Sequence, residues 1–251
     1  MTTTSKPTTR RINRGRGHSY VLDGEKVPGI TTVLGSAFPK SALIDWAARE
    51  TANYAINHWE ELTDAPVADR LNTLMRARFN TSNEAKLRGT TIHAFAERLA
   101  GGEEVEVPDD YRDHVDAYLS FVEDWQPAEL MVEVPVFSRR FRYAGTPDLV
   151  AVLKDGRTWM LDWKTGVKGG VFLDFVLQLA AARFADFALD ENGDEVPLPN
   201  IDATGIVTLT ASGYKLVPVE ANHDAFRMFV WLRWMVAEMI DNPEAWIGDP
   251  L

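Results

Sequence analysis

Asp148 in the run Gly145-Thr146-Pro147-Asp148, and Asp162 with Lys164 in Leu161-Asp162-Trp163-Lys164, are the residues whose types and spacing could do chemistry. In an extended strand successive side chains alternate between faces, so Asp162 and Lys164 share one face while Trp159, Leu161 and Trp163 share the other. Pro147 cannot donate to a ladder and belongs at an edge, a strand start or a bulge. The strand carrying Asp148 should therefore bend and can aim that carboxylate at its neighbour. Two close carboxylates repel and raise one pKa unless a cation sits between them, and a hard divalent ion such as magnesium favours oxygen ligands. A lysine beside such a metal can orient or deprotonate an attacking water and stabilise a phosphate undergoing displacement. The pattern points to phosphodiester hydrolysis. Its alternative is a structural ion pair between Asp162 and Lys164, the usual meaning of a lone Asp-x-Lys. Against that stands the apolar strand context of both carboxylates, where an unpaired charge is costly.

The elements that must position these groups follow from periodicity. Met131 to Phe137, Tyr143 to Leu153 and Thr158 to Lys164 read as three strands of an antiparallel meander. Before them, Asp23-Gly24 predicts a type I′ hairpin turn, and helices are expected over Lys40 to His58, about Val67 to Phe79, Thr90 to Leu99 after a break at Gly89, and Asp109 to Trp125. After them come a helix over Phe172 to Leu189, a hairpin of Thr204 to Thr210 and Tyr214 to Val219, and a closing helix from Asp224 to Ile240. That order gives an α/β or α+β core with helices packed on a mixed sheet.

Composition narrows the function classes. The chain has 251 residues, 45% of them hydrophobic, enough for one sizeable core. It contains no cysteine, which excludes disulfides, cysteine nucleophiles, thiolate zinc sites and cysteine-held iron–sulfur clusters, so any metal must use oxygen or imidazole ligands. No run suffices to span a bilayer and no secretory signal is recognisable, so no membrane partner is expected. The net charge of −11 argues against nonspecific coating of DNA. Positive charge is nevertheless clustered in Lys6, Arg10, Arg11, Arg14 and Arg16, and residues 1–17 read as a flexible basic arm.

With Gly89-Thr90-Thr91-Ile92-His93 and Gln178 added, these motifs follow in order and spacing the pattern of the PD-(D/E)XK nuclease superfamily, and the chain resembles its RecB-type exonuclease branch. Val27 to Gly35 and the Trp46-Ala47-Ala48 helix look like the start of bacteriophage-encoded members. The resemblance implies a restriction-endonuclease-like core over 85–251 with an N-terminal hairpin and helical cap over 18–84, as one nuclease domain. It also implies Mg2+ or Mn2+ held by His93, Asp148, Asp162 and the backbone carbonyl of Trp163, with Lys164 positioning the water and Gln178 contacting substrate or supporting the site. The implied partner is DNA with a free end, single- or double-stranded, with a recombination or helicase protein and an oligomer as further partners. The implied place is the cytoplasm, the host's if the chain is phage-encoded. An alternative is a non-catalytic nucleic-acid-binding or recombination accessory module on the same fold.

The chain departs from the family at Ala182, where an aromatic is expected, which bears on substrate handling. Glu97 and Glu133 are either supports behind the ligands or ordinary surface carboxylates. Arg139, Arg140, Arg142 and Lys168 either grip phosphates or, for the arginines, form a solvated hairpin tip. Trp231, Trp234 and Met235 are expected in the core or at a subunit interface rather than as a base-stacking platform. His18, His58, His114 and His223 are read as having no site role.

Overall fold

The computed structural model describes residues 8–14, 17–38, 41–100, 103–165, 170–240 and 242–248, without the side chains at 14, 41–43, 78–90, 93, 96, 97, 100 and 240. Strands β1 (Arg10–Arg14), β2 (Gly17–Leu22) and β3 (Glu25–Val27) form an antiparallel sheet. The β2–β3 turn is the expected one, with Asp23 and Gly24 at φ of +50° and +86°. β1 corrects the reading of 1–17 as a flexible arm, because Arg10 to Arg14 pair with Val21 to Gly17. Backbone hydrogen bonds to a hairpin edge need no apolar side chains, so composition misjudges such a segment. Thr8 and Thr9 tie it down further, the Thr8 carbonyl accepting from Gly24 N–H at 2.7 Å and the Thr9 hydroxyl from Asp23 N–H at 3.1 Å. Residues 1–7 and 15–16 lie outside the described residues.

Four helices follow α1 (Ile30–Ala37): α2 (Ser41–Asn57), α3 (Trp59–Asp64), α4 (Val67–Ala100) and α5 (Asp109–Trp125). The two helices expected on either side of Gly89 are one, α4, of 34 residues. A single glycine costs a helix about 1 kcal/mol and does not end it. The boundary placed at residue 84 therefore falls inside a helix. Leu71 and Met75, near its start, are exposed. Among the described residues no helix is long and apolar enough to cross a membrane.

The centre is a mixed five-stranded sheet in the order β12-β11-β8-β7-β4, built from β4 (Ala128–Val132), β7 (Leu149–Val152), β8 (Thr158–Thr165), β11 (Ala203–Thr210) and β12 (Gly213–Pro218). β4, β7 and β8 are the antiparallel meander; β8 and β11 run parallel. A four-stranded sheet, β10-β9-β5-β6, lies beside it, with β5 (Val136–Ser138), β6 (Tyr143–Gly145), β9 (Phe187–Leu189) and β10 (Glu195–Val196). Two of the expected strands are thus each divided between sheets. The breaks fall at Glu133, at φ +48°, and at Pro147, and the Glu133 N–H donates to the Asp148 carbonyl at 3.0 Å, so both chains bend at one place.

α6 (Leu173–Arg183) is shorter than the expected helix over Phe172 to Leu189, whose last residues are β9. Tertiary partners override the local pattern there: Phe187 stacks on Phe137 at 5.6 Å, and Asp186 accepts from Ser138 Oγ at 3.3 Å and Arg139 N–H at 2.6 Å. The closing helix is α7 (His223–Met235), capped by the Asn222 side chain and continued by a π-turn, Val236–Ile240. Both faces of the central sheet are covered. Met160, Val150 and Ile206 pack with α1, α6 and α7, while Trp159, Leu161 and Trp163 pack with Val115, Tyr118 and Phe121 of α5. The core is α+β, a mixed sheet flanked by helices.

α1 is held close to β6 at Gly145, where a Cβ would come within 2.3 Å of the Ile30 Cδ1. Gly145→Ala should therefore push α1 off the sheet and lower stability by about 1–3 kcal/mol, read as a lower midpoint in thermal unfolding. An unchanged midpoint would show that Ile30 can move aside.

Candidate active site

β8 positions the site by alternation. Its Trp159, Leu161 and Trp163 anchor one face in the α5 core, which turns Asp162 and Lys164 toward α6. Asp162 is buried, at 1% exposure, and meets donors from α6 and from its own strand. Gln178 Nε2, from the facing side of α6, donates to its Oδ1 at 2.6 Å, and Lys164 Nζ pairs with its Oδ2. The Lys164 ammonium also lies 4.7 Å from the centre of the Phe175 ring, so α6 grips both ends of the Asp162–Lys164 pair.

Asp148 enters from the bend between β6 and β7. Its Oδ2 accepts from the Trp163 backbone N–H at 2.7 Å, which fastens it to β8 beside Asp162. Enclosure first, and the Asp162 charge second, push its pKa up to about 8, against the opposing pull of the Trp163 N–H and Lys164. Glu133 adds to the rise through its charge; its own carboxylate is half-exposed and 3.9 Å from Arg11.

A cavity of about 300 Å³ opens over these groups and is lined by Asp148, Asp162, Trp163, Lys164 and Gln178. Five of the expected site residues therefore converge on one space. The sixth, His93, lies on α4, but its side chain is outside the described residues, as are the Glu97 side chain and Lys168. Among the described residues no group of three or more His, Asp or Glu side chains gathers as a metal cluster. Ala182, one turn beyond Gln178, also faces the cavity and leaves space there.

The opposite wall was missed by the sequence reading. His18 and Tyr20, from β2, line the cavity with Thr146, and the Tyr20 hydroxyl is hydrogen-bonded to Thr146 Oγ1 at 2.8 Å. The His18 ring stands edge-on to Tyr20 at 5.1 Å, and its pKa is lowered by desolvation and then by Arg11. The period of two in Gly17 to Leu22 was the available signal, since it puts residues 18 and 20 on one face, but nothing local says what that face meets. His58 keeps its plain reading, bonded to the Tyr54 carbonyl at 3.0 Å. So does His223, stacked on Phe184 at 4.2 Å.

Two arginines offered as phosphate grips are already paired. Arg139 bonds Asp23 and Glu195 and covers the Phe187 ring, and Arg142 bonds Glu25 and Asp23, clamping the hairpin to the second sheet.

Compared with family models and with curated proteins, the chain matches none. Among solved structures it is similar to the crystal structure of SSO0001, with 11% identity, 85% of each chain covered and a TM-score of 0.37, a likeness too loose to carry an argument.

Proposed function

We propose that the chain is a divalent-metal-dependent deoxyribonuclease of the PD-(D/E)XK kind, acting as an exonuclease. The observation that carries this reading is the pair of carboxylates, Asp148 and Asp162, fastened side by side at a cavity that also receives Lys164 and Gln178. The donor set suits magnesium, which takes one or two carboxylates and keeps several waters. A shared dication would also offset the Asp162 charge that, after enclosure, raises the Asp148 pKa. Asp148, Asp162 and the Trp163 carbonyl would hold Mg2+ or Mn2+, with His93 as imidazole ligand, and the ion would offset charge developing on the scissile phosphate.

The chain's own residues do the rest. Gln178 and the Trp163 N–H each occupy one carboxylate oxygen and so fix the direction of the other. Lys164, at 22% side-chain exposure, reaches the cavity from a buried partner and can hold the attacking water against phosphorus. The substrate is DNA with a free end, and the setting is recombination, repair or replication in a cytoplasm, the host's for a phage-encoded chain.

Labelled linear and circular DNA incubated with Mg2+, Mn2+ or EDTA tests the reading. Linear DNA should shorten from its ends with either metal, circles should survive, and EDTA should stop the reaction. Binding without cleavage under all three conditions would assign the accessory role instead.

A further inference from the structure

We infer that the groove between α7 and the turn joining β5 to β6 is a second nucleic-acid site, where one DNA strand stacks its bases on Trp231 and Trp234 and sets a phosphate on Arg140. The choice of DNA rests on the nuclease reading; the site itself is separate from the carboxylate cavity.

The groove encloses about 580 Å³, with Phe141, Trp231 and Trp234 among its apolar walls, and with Arg140, Arg142, Arg233 and the single acid Glu238. Trp231 is 70% and Trp234 49% exposed, so of the two expected places, core or subunit interface, the core is removed. Their rings meet edge to face, with centroids 6.3 Å apart at 86°, which leaves ring faces open for stacking. Immediately after them the helix widens into the π-turn Val236–Ile240, and Trp246 closes over it, donating its indole N–H to the Glu238 carbonyl at 2.9 Å. Trp246 is itself 62% exposed, so a third aromatic borders the same helix end.

The charges differ in what they can do. Arg142 is engaged with Glu25 and Asp23, and Arg233 Nε donates to the Arg142 carbonyl at 3.2 Å, so both hold the groove wall in place. Arg140 is exposed, lies over the Phe141 ring at 5.0 Å, and makes no ion pair among the described residues. Open aromatic faces beside a cation match a strand that presents flat bases and phosphates together. An acidic peptide would match the charge equally well. What favours DNA is the connection: Arg142 leads through β6 to Asp148, a path of at most roughly 20 Å when extended. In a chain of net charge −11, such a local cationic platform beside the site is what brings a polyanion to it.

The test is fluorescence anisotropy of a labelled thymidine 20-mer with the full chain in EDTA, so that cleavage plays no part. Trp231→Ala and Arg140→Ala should each weaken binding by about tenfold, Trp231→Phe should recover most of it, and Arg140→Ala should flatten the salt dependence. A duplex of the same length should bind more weakly. Binding unchanged in both alanine variants overturns the inference, as does equal affinity for the duplex. So does a Trp231→Ala effect confined to self-association in sedimentation, which would assign the groove to a second copy. Tryptophan-dependent binding without any metal-dependent cleavage would sink the nuclease reading and leave the groove standing. Cleavage with binding indifferent to Trp231 would do the reverse.

Discussion

Asp148→Asn should give a protein that is more stable than the wild type without metal above about pH 8 and, on the proposed nuclease reading, one that cleaves DNA some hundred- to thousandfold more slowly. Enclosure and the neighbouring Asp162 raise the Asp148 pKa to about 8 in the folded chain, against about 3.9 when unfolded. Below about pH 4 the carboxyl is protonated in both states, and its contribution to stability is fully present. As pH rises toward 8 the unfolded chain releases the proton first, so that contribution is lost progressively and stays lost above 8. Asparagine cannot ionise, keeps an oxygen for the Trp163 N–H and points an amide toward Asp162, so it does not follow this decline. The gap between variant and wild type should grow by several kcal/mol from pH 5 to about pH 8 and level off above that. Added Mg2+ should narrow it by stabilising only the wild type. Thermal unfolding across pH with and without metal measures all of this. A variant no more stable than wild type at pH 9 would mean that enclosure and the Asp162 charge do not raise the Asp148 pKa.

Lys164→Ala separates a catalytic amine from a structural ion pair. In the structural alternative Lys164 only neutralises Asp162, so its loss lowers stability and leaves cleavage of the remaining folded protein intact. In the nuclease reading cleavage falls at least a hundredfold at temperatures where the variant is fully folded. The charges also predict a second signature. With the ammonium gone, Asp148 and Asp162 are left without their cation, so the metal-free variant should lose about 1–3 kcal/mol. Mg2+ should then raise its melting temperature by more than it raises that of the wild type. A variant that folds, gains nothing from Mg2+ and cuts DNA at the wild-type rate would leave Lys164 a surface partner of Asp162.

How far these groups were legible beforehand depends on the range of the interaction that places them. The alternation of Trp159, Leu161 and Trp163 against Asp162 and Lys164 is a local property of an extended strand, and β8 follows it. The Asp23-Gly24 turn is local in the same sense. Gln178 was reached only through the family pattern, yet it donates to Asp162. The failures lie where the deciding partner is distant in the chain. Phe187 to Leu189 carry a helical pattern but become β9, because β5 offers hydrogen bonds and Phe137 a ring. Arg10 to Arg14 look like a free arm until β2 pairs with them. Trp231 and Trp234 have the spacing of a buried stripe, and only the packing of α7 on α1 and α6 decides which side of that helix is covered.

Read alone, the order of residues determined a core of helices packed on a mixed sheet, the antiparallel meander at its centre, the shared face of Asp162 and Lys164, and the absence of any thiol chemistry. These follow from periodicity and composition, which neighbouring residues express together. Tertiary structure alone decided that Glu133 and Pro147 bend side by side and that Asp148 is fastened to the Trp163 backbone. It also brought His18 and Tyr20 to the far wall of the cavity. Convergence of that kind depends on contacts between segments far apart in sequence, whose free energy appears only when the whole core is packed.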